Sequence, residues 1–329
     1  MTEDKKIYYV CDWHYAPGYY NFDRHRFPQA YLEQVPWYLV NYANVATEIQ
    51  GSGNIILVNT PVHDELSKLK LIDEIANHND VYLIQEGSIW CWMYDWGAPE
   101  QELYVSILSK AKAFLCSNQF ERHMMRLFVD NTIIAQPCTN MFVEEARTTL
   151  GDYLFLVNPS KGYQRGMLSH KLVHSSVPDN LQVYSLQFDR KPHTGRMISL
   201  PDSYTLPGFQ LLPRMQWEDF MGVAHNSRFG VDVHRDFSAG QTAVDFGSLG
   251  VPLVGNIKLD AQKNIFPDTS FEWDDYEGIQ KCIRLLSQDD DFCLEVGKKA
   301  LENTKTMYNS KEVVSRFKIE FNKIAKTTL

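Results

Sequence analysis

The amino-acid sequence predicts an α/β protein that contains two doubly wound parallel sheets. Short, continuously apolar runs recur along the chain, which is typical of parallel strands that are covered on both faces. Amphipathic segments of helical length separate these runs, and such alternation favours βαβ units. The alternation stops near residues 143–151 and then restarts. The length of 329 residues also suits two domains.

The first half of the chain has the pattern of a Rossmann-like domain. Its predicted strands are 7–11, 55–58, 81–84, 113–116 and 132–135. Its predicted helices are 29–50, 64–78, 100–111 and 118–128. We therefore expect an N-terminal domain over residues 1–148, with parallel strands joined by covering helices.

The second half repeats this organisation and starts with the strongest strand candidate, residues 153–157. Further strands are predicted at 181–186, 209–212, 229–233 and 251–254. Helices are predicted at 165–176, 216–225 and 241–249, and the last ~60 residues are predicted to be mostly helical. We expect the C-terminal domain to span residues 149–307.

The composition narrows the classes of function. The chain has 32 basic and 41 acidic residues, for a net charge of −9, and residues 1–150 hold 11 basic against 19 acidic side chains, or −8. This balance disfavours general polyanion binding, which depends on neutralising phosphates. The six cysteines form no C-x-x-C pair, which disfavours zinc sites and disulfides. Without an apolar run of ~18 residues or an apolar leader, we expect a cytoplasmic protein with no membrane span.

The loop after the strand 153–157 has the composition of a phosphate site. It contains Lys161 and Arg165, each followed by a glycine, directly before a predicted helix. A helix N-terminus attracts anions through its N–H groups and its dipole, so two added cations favour a diphosphate. The alternative is a solvated loop with ordinary surface charges.

A loop of small residues follows the strand 229–233 and opens the next helix. Its candidate diphosphate contacts are Ser238, Gly240, Gln241 and Thr242. Asp245 lies one turn into the helix, on the same face as Gln241. A carboxylate there can accept both hydrogen bonds of a ribose diol. The alternative is an acidic residue that stabilises the helix dipole.

This loop and helix, followed by the run 250–254 (Gly-Val-Pro-Leu-Val), resemble the donor site of GT-B glycosyltransferases. Those enzymes have two facing doubly wound Rossmann-type domains, with the nucleotide sugar mostly on the C-terminal domain and the acceptor on the N-terminal one. The resemblance implies that Asp245 holds the ribose and that Lys161 and Arg165 hold the diphosphate. It also implies that the last helix, within 308–329, crosses back onto the N-terminal domain.

Two further segments bear on this resemblance. The run 113–120 followed by 133–137 is similar to the end of the N-terminal domain in the GT-B fold. Many retaining members carry two glutamates eight positions apart in the donor helix region, whereas Phe237 stands eight positions before Asp245. We therefore expect an inverting enzyme.

Glu86 and His14 are the candidates for a catalytic base. Glu86 follows the strand 81–84, and a strand that ends in an acid resembles phage DNA β-glucosyltransferases, in which that acid is the base. His14 titrates near neutrality, and Asp12 is placed to orient it. The structural alternatives are a carboxylate that caps a helix and a hydrogen-bonded loop histidine.

Aromatic side chains that follow two strands of the N-terminal domain predict an acceptor site. The candidates are Trp13, Tyr15, Trp90 and Trp92. Flat apolar faces with polar edges suit stacking on sugars or bases, although packing in a core is the alternative. Acidic surroundings favour a neutral, glycan-like acceptor, while local basic residues leave DNA open. These basic residues are Arg24, His25, Arg26, Arg122, His123 and Arg126.

Together these patterns predict a glycosyltransferase that moves a sugar from a nucleotide-diphosphate sugar, such as a UDP-sugar, to an acceptor hydroxyl. No D-x-D pair follows a predicted strand, so we expect no metal, and no cofactor apart from the donor itself. The acceptor is expected to be a glycan or another hydroxyl compound. The alternatives are glycosylation of hydroxymethylated pyrimidines in viral DNA, and a non-catalytic module that binds a nucleotide sugar or a glycan.

Overall fold

Two parallel six-stranded sheets with covering helices form the framework of the molecule, which confirms the predicted α/β fold class. A computed structural model describes residues 6–11, 31, 34–35, 37–60, 65–85, 96–157, 166–186, 208–213, 215–233 and 239–326. The chain divides into two compact units. The first contains the residues up to Asn140 and those from Ser310 on, and the second contains Met141–Asp236 and Gly240–Asn309.

The sheet of the first unit has the strand order β2-β1-β3-β4-β5-β6, and all its pairs are parallel. Its strands are β1 (Ile7–Cys11), β2 (Tyr38–Asn41), β3 (Ile55–Asn59), β4 (Asp80–Ile84), β5 (Ala113–Cys116) and β6 (Thr132–Ile134). Every residue of β1 and β3 is buried, because apolar side chains pack on both faces of the sheet. This explains the continuous apolar runs in the sequence.

The predicted helix over residues 29–50 is wrong for its second half. Tyr38–Asn41 forms β2, which pairs in parallel with β1. A 3-10 turn (Tyr42–Asn44) and the short helix α1 (Val45–Glu48) follow it. An apolar run of so few residues fits a strand and a buried helix equally well, so periodicity alone does not separate them.

The other helices of the first half agree with the predicted positions. They are α2 (Glu65–Ala76), α3 (Ala98–Lys110) and α4 (Gln119–Met125). Pro99 stands in the first turn of α3, where its missing N–H costs no hydrogen bond. Asn118 begins α4, because its Oδ1 accepts a hydrogen bond from the N–H of Glu121 at 2.8 Å.

The sheet of the second unit has the order β12-β11-β10-β7-β8-β9 and is also parallel throughout. Its strands are β7 (Tyr153–Leu156), β8 (Gln182–Leu186), β9 (Phe209–Leu212), β10 (Phe229–Asp232), β11 (Leu253–Asn256) and β12 (Ser270–Phe271). The strand predicted to start at Val251 begins two residues later, because the Val251 N–H bonds to Phe246 at the end of the preceding helix. The two-residue β12 is too short to have been predicted.

The helices of the second unit follow the predicted alternation. They are α5 (Gly166–His174), α6 (Trp217–Asn226), α7 (Gln241–Ser248), α8 (Asp260–Ile265), α9 (Tyr276–Gln288) and α10 (Asp290–Met307). Asp275 and Asp289 begin α9 and α10, because each carboxylate accepts a hydrogen bond from the first turn. The expectation of a mostly helical C-terminal region is confirmed.

The last helix, α11 (Ser310–Ala325), packs on the sheet of the first unit. Phe317 and Phe321 are buried among the side chains of that sheet, and the Phe321 ring lies 4.7 Å from the ring of Tyr82. The Phe317 ring lies 5.0 Å from that of Tyr31. Burial of these apolar side chains attaches α11 to the sheet of the first unit. Among the described helices, none is both long and apolar enough to cross a membrane.

Replacing Phe317 tests this attachment. Phe317→Ala should lower the free energy of unfolding of the first unit by about 3–5 kcal/mol, because it leaves a cavity against the sheet. Ile319 lies on the same helix and is 54% exposed, so Ile319→Ala should change the free energy by less than about 0.5 kcal/mol. Urea unfolding followed by circular dichroism measures both. Equal effects of the two substitutions would contradict the packing.

Candidate functional site

The topology of the second sheet places a switch point between β7 and β10. From β7 the chain runs outward through β8 and β9, and it then resumes at β10 on the other side of β7. The loops after β7 and β10 therefore leave the same edge of the sheet on opposite sides. Open α/β sheets bind ligands at such a switch point.

The two predicted phosphate loops are the loops that follow these two strands. The strands end side by side, because Val231 pairs with Leu156 and the Val157 N–H bonds to the Val231 carbonyl at 2.9 Å. Lys161, Arg165 and Ser238 lie outside the described residues, so their contacts stay predictions. The sheet brings the bases of their loops together.

The described end of the second loop is Gly240, which leads directly into α7. Its φ of 81° is in the left-handed region, and a Cβ there would lie 3.0 Å from the Cβ of Ala261. Any other residue would be strained in this turn. Gln241 and Thr242 form the first turn of α7, so their backbone N–H groups lie at the positive end of the helix dipole.

Asp245 is buried one turn further along α7, with 1% of its surface exposed. Its Oδ1 accepts a hydrogen bond from Nε2 of Gln241 at 3.0 Å. The sequence placed these two residues on one helix face, and the structure does the same. A buried carboxylate one turn from a helix N-terminus, at the switch point of the sheet, is suited to receive hydroxyl donors.

Packing on both sides holds α7 in place. The Phe246 ring lies 6.2 Å from the rings of Phe155 in β7 and Phe220 in α6. At Gly247 a Cβ would lie 2.1 Å from Oγ1 of Thr304, so α10 approaches the backbone of α7 closely. These contacts restrict movement of α7 and therefore of Asp245.

Sequence reasoning missed two buried polar residues at this edge. Asp232 is the last residue of β10 and is 6% exposed, and Asn256 is the last residue of β11 and is fully buried. The Oδ1 of Asn256 accepts a hydrogen bond from the N–H of Lys258 at 2.9 Å and so turns the chain towards α8. The signal in the sequence was one polar residue at the end of each apolar run.

The first sheet has its own switch point, between β1 and β3. The chain runs from β1 to β2 on one side and returns past β1 to β3 on the other. Asn59 ends β3 and is 6% exposed, and its carbonyl accepts a hydrogen bond from the Tyr42 hydroxyl at 2.5 Å. Its Oδ1 is buried and has no hydrogen-bond partner among the described residues. An unpaired buried acceptor lowers the free energy of unfolding by about 1–3 kcal/mol, so the end of β3 destabilises the fold.

A hydrogen-bonded group joins the ends of β3 and β4 beside it. The Thr60 hydroxyl lies 3.2 Å from the Tyr104 hydroxyl, which donates to Oε1 of Gln85 at 3.4 Å. Burial raises the pKa of Tyr104 well above its usual value, so the phenol keeps its proton. Gln85 directly precedes the candidate base Glu86. The residues Glu86, His14, Trp13, Tyr15, Trp90 and Trp92 lie outside the described part of the chain.

A buried carboxyl group lies after β5 of the same sheet. Oε2 of Glu121 accepts hydrogen bonds from the Ser117 N–H at 2.6 Å and the Ser117 hydroxyl at 2.9 Å. Its Oε1 is buried without a partner among the described residues. Burial raises the pKa of Glu121 to about 7, and the hydrogen bonds from Ser117 oppose this shift. The residue closes the first turn of α4 in the manner of a capping box.

Known structures resemble the whole architecture at low sequence identity. No family model matches the chain, and no curated protein sequence matches it. Staphylococcus aureus TarM, solved in complex with fondaparinux, α-GlcNAc-glycerol and UDP, aligns with a TM-score of 0.65 at 13% identity. The alignment covers 85% of this chain but only 58% of the TarM chain, so this chain spans less than two thirds of TarM.

Two further structures agree with this result. Sucrose-phosphate synthase from Thermosynechococcus elongatus has a TM-score of 0.65 at 13% identity, covering 86% of this chain and 75% of its own. The pneumococcal O-GlcNAc transferase GtfA, solved with UDP and GlcNAc, has a TM-score of 0.61 at 10% identity, covering 87% and 60%. This chain has the GT-B fold. The resemblance drawn from the segment 238–254 is therefore confirmed at the level of fold.

Within the GT-B fold, the described predicted residues lie together. Gly240 directly precedes α7, and Gln241, Thr242 and Asp245 lie within the first five residues of that helix. In the part of the chain that the structure describes, no three His, Cys, Asp or Glu side chains are grouped as metal ligands would be. The five cysteines in that part are buried and free, as the sequence predicts.

The stability of the protein should depend on pH through Glu121. Its folded-state pKa of about 7 lies above the usual value of 4.5, so the native state holds a proton that the unfolded state releases. Stability should therefore fall as the pH rises from about 4.5 to 7, by roughly 3 kcal/mol in total. Glu121→Gln has no carboxyl group to ionise, so this loss is absent in the variant. Urea unfolding should therefore show that the free energy of unfolding of the variant, relative to that of the wild type, rises between pH 5 and pH 8.

The exposed Glu48 supplies the control for that experiment. Glu48→Gln should change the free energy of unfolding by less than about 0.5 kcal/mol at pH 5 and at pH 8, because the side chain is exposed. If Glu121→Gln showed the same pH dependence as the wild type, the buried carboxyl would not be the cause.

Proposed function

We propose that the protein is a glycosyltransferase that moves a sugar from a nucleotide-diphosphate sugar to an acceptor hydroxyl. One observation carries this proposal. In a GT-B fold, the two loops with phosphate-binding composition start side by side at the β7/β10 switch point, and the helix that opens there carries the buried Asp245. Nucleotide binding at this position follows the general rule for open α/β sheets.

The donor is bound by charge and by hydrogen bonds. Lys161 and Arg165 neutralise the diphosphate, including the charge that grows on it as the leaving group departs. The loop 238–242 directs backbone N–H groups towards the phosphates, and Asp245 accepts hydrogen bonds from the ribose. UDP is the proposed nucleotide, since TarM and GtfA were both solved with UDP. Cationic side chains and the helix dipole serve in place of a metal.

Transfer requires a base for the acceptor. Glu86 follows Gln85 at the carboxyl end of β4, and we assign it this role, with His14 as the second choice. The base takes the hydroxyl proton as the acceptor oxygen bonds to the anomeric carbon. The bond from that carbon to the phosphate oxygen breaks, and the nucleoside diphosphate leaves with the electron pair. Direct displacement inverts the anomeric centre, in keeping with Phe237 in place of a glutamate.

The proposed acceptor is a glycan or another neutral hydroxyl compound, held by Trp13, Tyr15, Trp90 and Trp92. The names of TarM, sucrose-phosphate synthase and GtfA lend no support to a DNA acceptor, and we do not propose one.

Donor binding gives the first test. Isothermal calorimetry with UDP-glucose, UDP-N-acetylglucosamine and GDP-mannose should detect binding of at least one donor. Asp245→Ala and the double change Lys161→Ala, Arg165→Ala should each weaken it roughly 10- to 100-fold, because each removes charge-assisted hydrogen bonds. Asp274→Ala, at an exposed site of the same unit, is the control and should bind as the wild type does. Unchanged affinity in Asp245→Ala would sink the ribose assignment.

Catalysis gives the second test. Glu86→Gln should lower kcat for sugar transfer about 10²- to 10⁴-fold and leave the donor Kd unchanged, because a general base acts on the acceptor alone. His14→Ala should have a smaller effect on kcat. The readout is release of UDP with and without added sugar acceptors. If both variants retain the wild-type rates, the catalytic assignments are wrong, and an absence of turnover in the wild type would favour the binding module.

A further inference from the structure

The side chain of Gln241 has a defined orientation on the first turn of α7. Its Nε2 donates to Oδ1 of Asp245 at 3.0 Å. A carboxylate only accepts hydrogen bonds, so the amide nitrogen must be the atom that faces Asp245. The amide oxygen is then left to accept a hydrogen bond from another donor. This oxygen, Oε1, is shielded from solvent and accepts no hydrogen bond from the described residues.

The position of the pair along the helix decides which side chain a ligand meets first. Gln241 is the first residue of α7, and Asp245 lies one turn further from the carboxyl edge of the sheet. Helical side chains lean towards the N-terminus, so the Asp245 carboxylate points towards Gln241 and the edge. A ligand at the edge therefore meets the amide before or beside the carboxylate.

An orphaned acceptor beside a paired carboxylate suits two adjacent hydroxyl donors. Leaving Oε1 unpaired destabilises the folded protein, and a ligand hydroxyl that donates to it would recover this cost. A cis-diol presents two O–H groups on adjacent carbons, so it suits two acceptors that lie close together. The amide oxygen and the carboxylate, which are linked by one hydrogen bond, form a matching pair of acceptors.

We infer that Gln241 and Asp245 together recognise the ribose diol of the donor, with one hydroxyl donating to the Asp245 carboxylate and the other to Oε1 of Gln241. This inference rests on the proposed function. It changes the role predicted for the Gln241 side chain from the diphosphate to the ribose, while the backbone N–H stays with the diphosphate. Gln241 becomes a specificity residue that distinguishes ribose from deoxyribose.

Deoxynucleotides isolate the two hydroxyls. Calorimetry would measure Kd for UDP, 2′-deoxy-UDP and 3′-deoxy-UDP. In the wild type, each deoxy compound should bind at least about 3-fold more weakly than UDP, because each lacks one hydrogen bond. We call the ratio of the Kd of each deoxy compound to the Kd of UDP its deoxy penalty. Gln241→Met keeps the length of the side chain but lacks the acceptor oxygen, so one of the two penalties should fall to about 1-fold, which means no loss of affinity. The other penalty, which belongs to Asp245, should persist. Gln241→Ala should give the same pattern and serves if methionine disturbs the turn.

Gln288→Met is the matched control, since it makes the same substitution at an exposed position, the last residue of α9. It should leave both deoxy penalties unchanged. A loss of UDP affinity in Gln241→Met with both penalties intact would indicate a merely structural role and would overturn the inference. In that case binding of UDP by the wild type still upholds the proposed function. If the wild type bound no UDP at all, both the UDP donor and this inference would fail.

Discussion

The reversal of strand order between β7 and β10 is the constraint on which the proposed site depends. Parallel strands require crossovers, and crossovers on both faces force two loops to diverge at one point of the edge. Val157 and Val231 fix this point by a backbone hydrogen bond, so it does not depend on the conformation of the loops. Helix α7 starts there, and the close contact of Gly247 with Thr304 keeps it seated. The loops with the candidate phosphate contacts therefore start from strands and a helix whose positions are already fixed.

Buried side-chain oxygens without partners are placed unevenly in the described structure. Oδ1 of Asn59, Oε1 of Glu121 and Oε1 of Gln241 all lie at the end of a strand or in the first turn of the helix that follows. Elsewhere in the two sheets the strands are filled with apolar side chains. Each such atom lowers stability by about 1–3 kcal/mol. Proteins tolerate this cost mainly where function requires it, and here it falls at the edge where parallel sheets bind ligands.

The sequence predicted the strands well because burial on both faces leaves a continuous apolar signal. It failed at β2, where a run of only four residues did not distinguish a strand from a helix, and with β2 it missed the switch point of the first sheet. Asp245 and Gln241 could be placed from helical spacing alone. Asp232 and Asn59 could not, because one polar residue at the end of an apolar run is also what an ordinary strand end looks like. A hydrogen bond such as that from Tyr104 to Gln85 joins residues 19 positions apart, so no local pattern reveals it.

The identity of 13% to TarM at a TM-score of 0.65 shows what this fold requires and what it leaves free. The fold is retained although few residues are, since the alternation of buried strands and covering helices determines whether two doubly wound sheets form at all. The residues at the strand ends face no such requirement and can change in concert. At the start of α7, Gln241 lies one turn closer to the edge than Asp245 and is hydrogen-bonded to it, so a change in one of these side chains can be offset by the other. Compensation within one helix turn is thus a physical route by which a binding site can diverge while its scaffold stays the same.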